Sequence, residues 1–143
     1  MIVLDTTILL YAVGDEHELR EPSRRLVEAI GNGRVQATTT VEAIQEFVHV
    51  RARRRDRRDA VQLGLAYSDL LTPLILPGKE DLETGLGLFE RHGELGSFDS
   101  VLAAAAVARD AEALVSADAS FSAVPKLKYV EPGSAAFERL VRA

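Results

Sequence analysis

The sequence contains no cysteine. This absence excludes disulfides, thiolate metal sites and cysteine nucleophiles, and it predicts a reducing, cytoplasmic setting. Long apolar runs are also missing: no stretch approaches the roughly 20 residues that span a bilayer, and no basic segment precedes an apolar one at the start, as in a signal peptide. Neither a Gly-x-Ser-x-Gly nucleophile elbow nor a Walker phosphate-binding loop occurs. We therefore expect no membrane anchor and no nucleophile of these kinds.

Size and composition predict one folded domain. The chain has 143 residues, of which 47% are hydrophobic and 27% are charged, which is enough for a single core with a well-solvated surface. The net charge of −5 conceals an asymmetry, because residues 51–59 carry six Arg and two Asp, a local charge of +4 that leaves −9 elsewhere. We expect a single domain over residues 1–143 that is acidic except for this basic segment.

Short apolar runs alternate with amphipathic stretches along the chain. Strands are predicted at 2–4, 35–37, 73–77, 113–116 and 129–130. Helices are predicted at 6–12, 21–31, 40–50, 60–71, 81–91, 99–110 and 134–142. At the start of the third helix, Thr39 and Glu42 match a capping box, in which Thr39 caps the helix and Glu42 reaches back. The alternation predicts an α/β fold, a three-layer α/β/α sandwich with a mostly parallel central sheet.

Several acidic residues stand at the ends of predicted elements. Asp5 follows the first strand and Asp118 follows a later one, and ligands bind outside the carboxyl ends of parallel strands. Asp99 lies in the first turn of the Ala-rich helix, and Glu46 lies one turn beyond Glu42 on the third helix. Each also has an ordinary explanation, since an Asp after a strand commonly forms a turn or a cap, an Asp in a first turn suits the helix dipole, and a helical Glu is commonly solvated.

Carboxylates that meet in one place repel each other and resist ionisation, and a divalent cation relieves that repulsion. Mg²⁺ and Mn²⁺ prefer oxygen ligands, and such a cation lowers the pKa of a bound water and stabilises charge on a phosphate. The residues alone therefore leave two hypotheses open. One is a metal site made of the four acids, and the other is a set of unrelated caps and surface carboxylates.

Four short segments occur in a characteristic order along the chain. They are residues 2–7 (Ile-Val-Leu-Asp-Thr-Thr), 43–47 (Ala-Ile-Gln-Glu-Phe), 97–100 (Ser-Phe-Asp-Ser) and 114–118 (Leu-Val-Ser-Ala-Asp), the last followed by Phe121. In this order and spacing the chain resembles PIN domains, and among them the VapC-like ribonuclease toxins of type II toxin–antitoxin pairs. The resemblance spans nearly the whole sequence. It implies a PIN-like fold and a metal-dependent endoribonuclease that hydrolyses RNA phosphodiester bonds with a metal-activated water.

The resemblance also implies roles for the four acids. Asp5 and Asp99 would be the main ligands of Mg²⁺ or Mn²⁺, and Asp118 would be a further ligand. Glu46, together with Asp118, would help to position the attacking water. Glu42 is the rival of Glu46, and the Gln-Glu-Phe context and the capping role of Glu42 favour Glu46.

Two neighbouring hydroxyl residues and the histidines complete the list of candidates. Thr7 stands where many relatives carry Asn, so its contribution to the site is open. Ser116 matches a position usually held by Ser or Thr, and we expect it to hydrogen-bond behind the acids. His17, His49 and His92 show no ligand spacing with one another, and we expect no catalytic role for them.

The implied partners are an RNA substrate, a cognate antitoxin protein and a second copy of the chain in a homodimer, with no membrane involved. The Arg segment at 51–58 has three interpretations: a solvated helix end, a phosphate contact along RNA, and a contact surface for an antitoxin or a second subunit. Aromatic residues are sparse there, so base stacking is not indicated.

Two other classes of function stay open as alternatives. A phosphoryl-transfer or phosphatase-type α/β enzyme also has an Asp after its first strand, but the haloacid-dehalogenase-like pattern requires a second Asp where this chain has Thr7. A receiver domain requires a late Lys after a strand, and Lys126 and Lys128 lack that context. A catalytically silent interaction module of the same fold is the other alternative, and the presence of all four acids argues against it.

Overall fold

Seven α-helices and four short β-strands are found in residues 1–142, the part of the chain that the computed structural model describes. The strands are β1 (Ile2–Leu4), β2 (Ala37–Thr38), β3 (Ala113–Val115) and β4 (Tyr129–Val130). The helices are α1 (Thr6–Val13), α2 (Arg20–Gly31), α3 (Val41–Arg54), α4 (Arg57–Leu70), α5 (Lys79–Arg91), α6 (Ser97–Ala108) and α7 (Ala135–Arg142). None of these helices is long and apolar enough to cross a membrane.

The strands form one parallel sheet in the order β2-β1-β3-β4. Strand β1 is central and pairs with β3 along its length, so that Leu4 lies opposite Val115. Because all strands run in the same direction, the residues that follow them emerge at one edge of the sheet, which we call the carboxyl edge. The prediction of a mostly parallel sheet is confirmed.

Side chains on the sheet alternate between two apolar cores, as the two-residue period of a strand requires. Ile2 and Leu4 pack in the larger core with side chains from α1, α2, α3, α4 and α7. Val3 and Leu114 pack in the smaller core with α5 and α6. Helices therefore cover both faces of the sheet, and the predicted three-layer α/β/α sandwich is confirmed.

The strand predicted at 73–77 is wrong. This segment makes one isolated parallel bridge, between Thr40 and Ile75, in which the backbone N–H of Ile75 donates to the carbonyl of Thr39 at 2.9 Å. Pro73 and Pro77 have no backbone N–H, so the segment is unable to extend the ladder. The strand predicted at 35–37 is displaced toward the carboxyl edge and occupies Ala37–Thr38.

Helix α3 begins one residue later than predicted. Thr40, rather than Thr39, is its N-cap, and the Thr40 hydroxyl accepts a hydrogen bond from the backbone N–H of Ala43 at 3.1 Å. The buried Thr39 hydroxyl donates instead to the last carbonyl of β1, at 2.7 Å. Glu42 therefore lies at the second helical position and forms no capping box, which requires the third. The capping argument for preferring Glu46 over Glu42 is thus wrong, and the choice depends on the site itself.

The Arg segment lies at the corner between α3 and α4, and its first residue is not solvated. Arg51 is buried and donates to the carboxylate of Asp59 at 2.7 Å and to the carbonyl of Val13 at 3.0 Å. These bonds fasten the end of α3 to the start of α4 and to the end of α1. The Arg51 guanidinium holds the pKa of the Asp59 carboxyl below its usual range.

Candidate active site

Two of the predicted acids emerge side by side at the carboxyl edge. Asp5 directly follows β1, and its backbone N–H donates to the carbonyl of Val115 in β3 at 3.0 Å. Asp118 lies three residues beyond the end of β3, where it caps the 3₁₀ helix Ala119–Ala123 by accepting from the backbone N–H of Ser120 at 2.9 Å. The pairing of β1 with β3 therefore brings together two residues that are 113 positions apart in the sequence.

The Asp5 side chain is held by one of its two oxygens. Asp5 is 3% exposed, and its Oδ2 accepts hydrogen bonds from the Ser116 hydroxyl at 2.7 Å and the Thr7 hydroxyl at 2.8 Å. The backbone N–H of Thr7 also points to Oδ2, at 3.4 Å, and makes Asp5 the N-cap of α1. Among residues 1–142, Oδ1 accepts no hydrogen bond from a side chain or from the backbone. The carboxylate is thus fixed in direction with one oxygen left for a ligand.

The two hydroxyls that hold Asp5 also position its neighbours. The Ser116 hydroxyl accepts from the backbone N–H of Asp118 at 2.9 Å, and the Thr7 hydroxyl accepts from the backbone N–H of Ala117 at 3.1 Å. Ser116 lies behind the acids as expected. The sequence left the contribution of Thr7 to the site open. Its place two residues after Asp5, within the segment 2–7 that resembles PIN domains, was the signal that could have indicated a role in the site.

Glu46 reaches the same edge from α3. Its Oε2 accepts a hydrogen bond from the hydroxyl of Thr6 at 3.2 Å, and Thr6 directly follows Asp5. Thr6 was not among the site residues predicted from the sequence. A small cleft has both Glu46 and Asp99 in its lining, and Glu42 and Phe98 border it as well. Glu42 is exposed, and none of the described side-chain hydrogen bonds involves its carboxylate.

Asp99 lies in the first turn of α6 and is partly buried. Burial raises its pKa to about 7, and the negative charges of Asp5, Glu46 and Asp118 act in the same direction. An influence of this kind needs the groups to be near one another. The geometry agrees, since β1 and β3 are paired and Thr6, Glu46 and Asp99 line one cleft. All four predicted acids thus lie at the carboxyl edge, and we call Asp5, Glu46, Asp99 and Asp118 the acidic cluster.

The acidic cluster has the donor chemistry of a Mg²⁺ or Mn²⁺ site, because it offers only carboxylate oxygens and an excess of negative charge. Within residues 1–142, no three His, Cys, Asp or Glu side chains are packed closely enough to hold a metal ion by themselves. Mg²⁺ does not require three protein ligands, because it keeps several waters and is usually held by one or two carboxylates together with substrate phosphates. The residues therefore fit such a cation.

Comparison with known proteins gives three findings. The sequence profile of the PIN domain matches residues 2–127. Ribonuclease VapC7 of Mycobacterium tuberculosis is 50% identical over 142 residues, which cover 99% of this chain and 98% of that protein. Ribonuclease VapC13 of the same species is 29% identical over 129 residues, covering 90% of this chain and 98% of that protein.

A solved structure has the same fold. A chain in the crystal structure of VapBC2 from Rickettsia felis, bound to a DNA fragment from their promoter, superposes with a TM-score of 0.70. The superposition covers 92% of this chain and 98% of that chain, at 19% sequence identity. This likeness concerns the fold, and it agrees with the parallel sandwich described above.

Proposed function

Because the chain belongs to the PIN domain family, we propose that it is the ribonuclease toxin of a type II toxin–antitoxin pair and cleaves RNA at the acidic cluster. The observation that carries the proposal is the meeting of four carboxylates at the carboxyl edge, where Asp5 and Asp118 follow paired strands and Glu46 and Asp99 line one cleft. The near full-length identity to a protein named a ribonuclease supports the same activity.

The residues of the acidic cluster take distinct roles in this proposal. Asp5, Asp99 and Asp118 would hold Mg²⁺, or Mn²⁺ in its place, in part through water that the ion keeps, because no three of the described acids are close enough to hold it by themselves. When bound, the cation supplies charge stabilisation at the phosphate and lowers the pKa of a water. Glu46 positions the attacking water, and its hydrogen bond from Thr6 limits the directions in which its carboxylate can point.

The hydroxyls behind Asp5 act through orientation rather than by contact with RNA. Ser116 and Thr7 both bond to Oδ2 of Asp5, so the buried carboxylate is already directed before a ligand arrives. Preorganised ligands lose little entropy on binding, and groups that hold ligands in this way typically contribute 10–100-fold in metal affinity or activity.

The proposal includes the partners and the setting of the protein. The fold match is to a chain of a VapBC complex, which supports a cognate antitoxin as a partner. We further propose that the protein is a single domain, forms a homodimer and acts in the cytoplasm, where an RNA substrate is available and a chain without cysteine needs no oxidising environment.

Purified protein incubated with total cellular RNA and Mg²⁺ or Mn²⁺ tests this function. Asp5→Asn keeps the shape of the side chain and its capping of α1 but removes the charge, and we expect RNA cleavage to fall by more than ~100-fold, beyond the range for groups behind a ligand. Asp110→Asn is the matched control, because Asp110 is an exposed Asp with φ of 51°, a conformation that Asn tolerates well.

Two outcomes would contradict the proposal. Cleavage by Asp5→Asn at the wild-type rate would remove the acidic cluster from the reaction. Hydrolysis of a phosphomonoester such as p-nitrophenyl phosphate, without cleavage of RNA under either cation, would favour the phosphatase alternative.

A further inference from the structure

The corner between α3 and α4 carries more Arg side chains than form ion pairs with nearby carboxylates. Two of its six Arg side chains are paired: Arg51 with Asp59 at 2.7 Å and Arg55 with Asp15 at 2.9 Å. The other four are exposed, and none has a carboxylate oxygen within 4 Å in the described part of the chain. We call these four residues the basic corner: Arg53, Arg54, Arg57 and Arg58.

Favourable interaction with a helix dipole explains only two of the four Arg residues in the basic corner. Arg53 and Arg54 lie in the last turn of α3, where a cation interacts favourably with the helix dipole. Arg57 and Arg58 open α4, at the positive end of that helix, where cations are disfavoured. A function that needs positive charge explains why Arg occupies these two positions.

Two cavities that share His49 lie along α3, between the acidic cluster and the basic corner. One cavity is bordered by Glu46 and His49, and the adjoining cavity is bordered by His49, Arg53 and Arg57. Glu46, His49 and Arg53 are spaced by three and four residues, so they follow one face of the helix. Seven residues of helix span about 10 Å, on the order of three nucleotide steps of a stacked strand.

We infer that the basic corner binds backbone phosphates of the RNA strand that is cleaved at the acidic cluster, which rests on the proposed ribonuclease function. A cluster of carboxylates repels a polyanion, so a strand that enters it requires cationic contacts close by. Arg suits this task because its guanidinium pairs with phosphate oxygens in a bidentate fork. Contacts to phosphate position a strand without reading its sequence, so this surface holds RNA of many sequences.

The double variant Arg53→Gln/Arg57→Gln tests the inference by RNA binding in EDTA, which prevents cleavage. The probe is a fluorescein-labelled 20-nucleotide single-stranded RNA of mixed sequence, titrated at several salt concentrations. Loss of two phosphate contacts lowers the slope of log K against log salt by about 1.4, and weakens binding roughly tenfold at 0.15 M salt. A purely structural role would not alter the slope.

The matched control is Lys128→Gln/Arg142→Gln, which removes the same charge. Lys128 directly precedes β4, and the carbonyl of Val141, next to Arg142, accepts from Arg34, which precedes β2. Both positions therefore lie toward the opposite edge of the sheet and are exposed. We expect this control to keep the wild-type salt slope.

The outcomes separate this inference from the proposed function. If wild-type protein cleaves RNA and Arg53→Gln/Arg57→Gln keeps the wild-type salt slope, the inference is wrong and the ribonuclease function stands. If the variant changes the sedimentation coefficient of the protein but leaves the slope unchanged, the basic corner serves association between copies, and the inference is again wrong. If wild-type protein cleaves no RNA, the proposed function itself fails.

Discussion

Two hydroxyl side chains fix the orientation of the buried Asp5 carboxylate. Ser116 and Thr7 both donate to Oδ2, and each also accepts a backbone N–H from the segment after β3. The direction of one carboxylate is thereby coupled to the position of the loop that carries Asp118. Burying a carboxylate costs free energy unless it is hydrogen-bonded, and the two hydroxyls supply such bonds to a side chain that is 3% exposed.

Glu46 and Glu42 form a natural comparison, because they lie one turn apart on α3 and differ in their contacts. We predict that Glu46→Gln lowers the rate of RNA cleavage by roughly 10–100-fold, the range typical of a group that positions a reactant. Glu42→Gln changes the charge equally but removes no described hydrogen bond, and we expect it to retain most activity. The measurement is the initial rate on one RNA under fixed Mg²⁺.

If Glu42→Gln lowered the cleavage rate more than Glu46→Gln does, the role proposed for Glu46 would belong to Glu42 instead. Circular dichroism of both variants is the accompanying control, since two exposed Glu→Gln changes on one helix are expected to leave the helical content unchanged.

Close packing against α5 sets the position of helix α6. A Cβ added at Gly85 of α5 would lie 2.7 Å from the Cα of Val101 in α6, a distance that real side chains do not reach. Only glycine allows the two helices to approach this closely. Since Asp99 lies two residues before Val101, this contact sets the depth at which α6 delivers its carboxylate to the acidic cluster.

We predict that Gly85→Ala lowers the free energy of unfolding by roughly 1–3 kcal/mol, because the helices have to separate to admit the methyl group. Gly87→Ala is the matched control on the same helix, where the nearest contact of a new Cβ is the flexible end of Arg91 at 3.4 Å. We expect that change to stabilise the protein by about 0.5–1 kcal/mol, the usual gain from replacing a helical glycine.

Urea unfolding of both variants at one pH measures these differences. Equal effects at the two glycines would mean that the α5–α6 contact relaxes freely, and would remove close packing as the cause of the position of Asp99.

At the scale of the whole molecule, the acidic cluster makes stability depend on pH. The folded state raises the pKa of Asp99 to about 7 from an ordinary value of 3.8, so the folded protein binds this proton more tightly than the unfolded chain does. Stability from this group is therefore complete below about pH 4 and is lost as the pH rises toward 7. Above pH 7 the folded protein bears the full cost of burying this charge and of placing it near three other carboxylates.

We predict that Asp99→Asn is more stable than wild type at pH 8 in EDTA, by roughly 1–3 kcal/mol after allowance for solvent screening. At pH 4 the difference disappears, because the wild-type carboxyl is then protonated in the folded state. The measurement is the urea midpoint of both proteins between pH 4 and pH 8, and parallel curves would show that repulsion in the cluster is negligible.

Added Mg²⁺ gives a second arm to this experiment. A ligand that binds only the folded state stabilises it by about 2.7 kcal/mol at 100 times its dissociation constant. We expect 10 mM Mg²⁺ to raise the wild-type midpoint at pH 8 and to have a smaller effect on Asp99→Asn, since one ligand of the cation is lost.

The sequence by itself determined the layers of the fold and the placement of Asp5 and Asp118 after strands of one sheet. Apolar runs of strand length, separated by helical stretches, specify a parallel sandwich, because that is how such elements bury their apolar faces. Asp5 and Asp118 were predicted to share an edge because they follow strands of the same direction. These features depend on local periodicity and on position at the end of an element, which are properties of neighbouring residues.

Only the tertiary structure decided which of several similar neighbouring residues makes a given contact. Thr40 caps α3 while Thr39 bonds to β1, Glu46 meets Thr6 while Glu42 does not, and Arg51 is buried while its neighbours stay exposed. Each choice depends on contacts between residues more than 30 positions apart, or on a shift of one residue in helix phase. Local sequence has no information about either, because the partner is supplied by another element once the chain has folded.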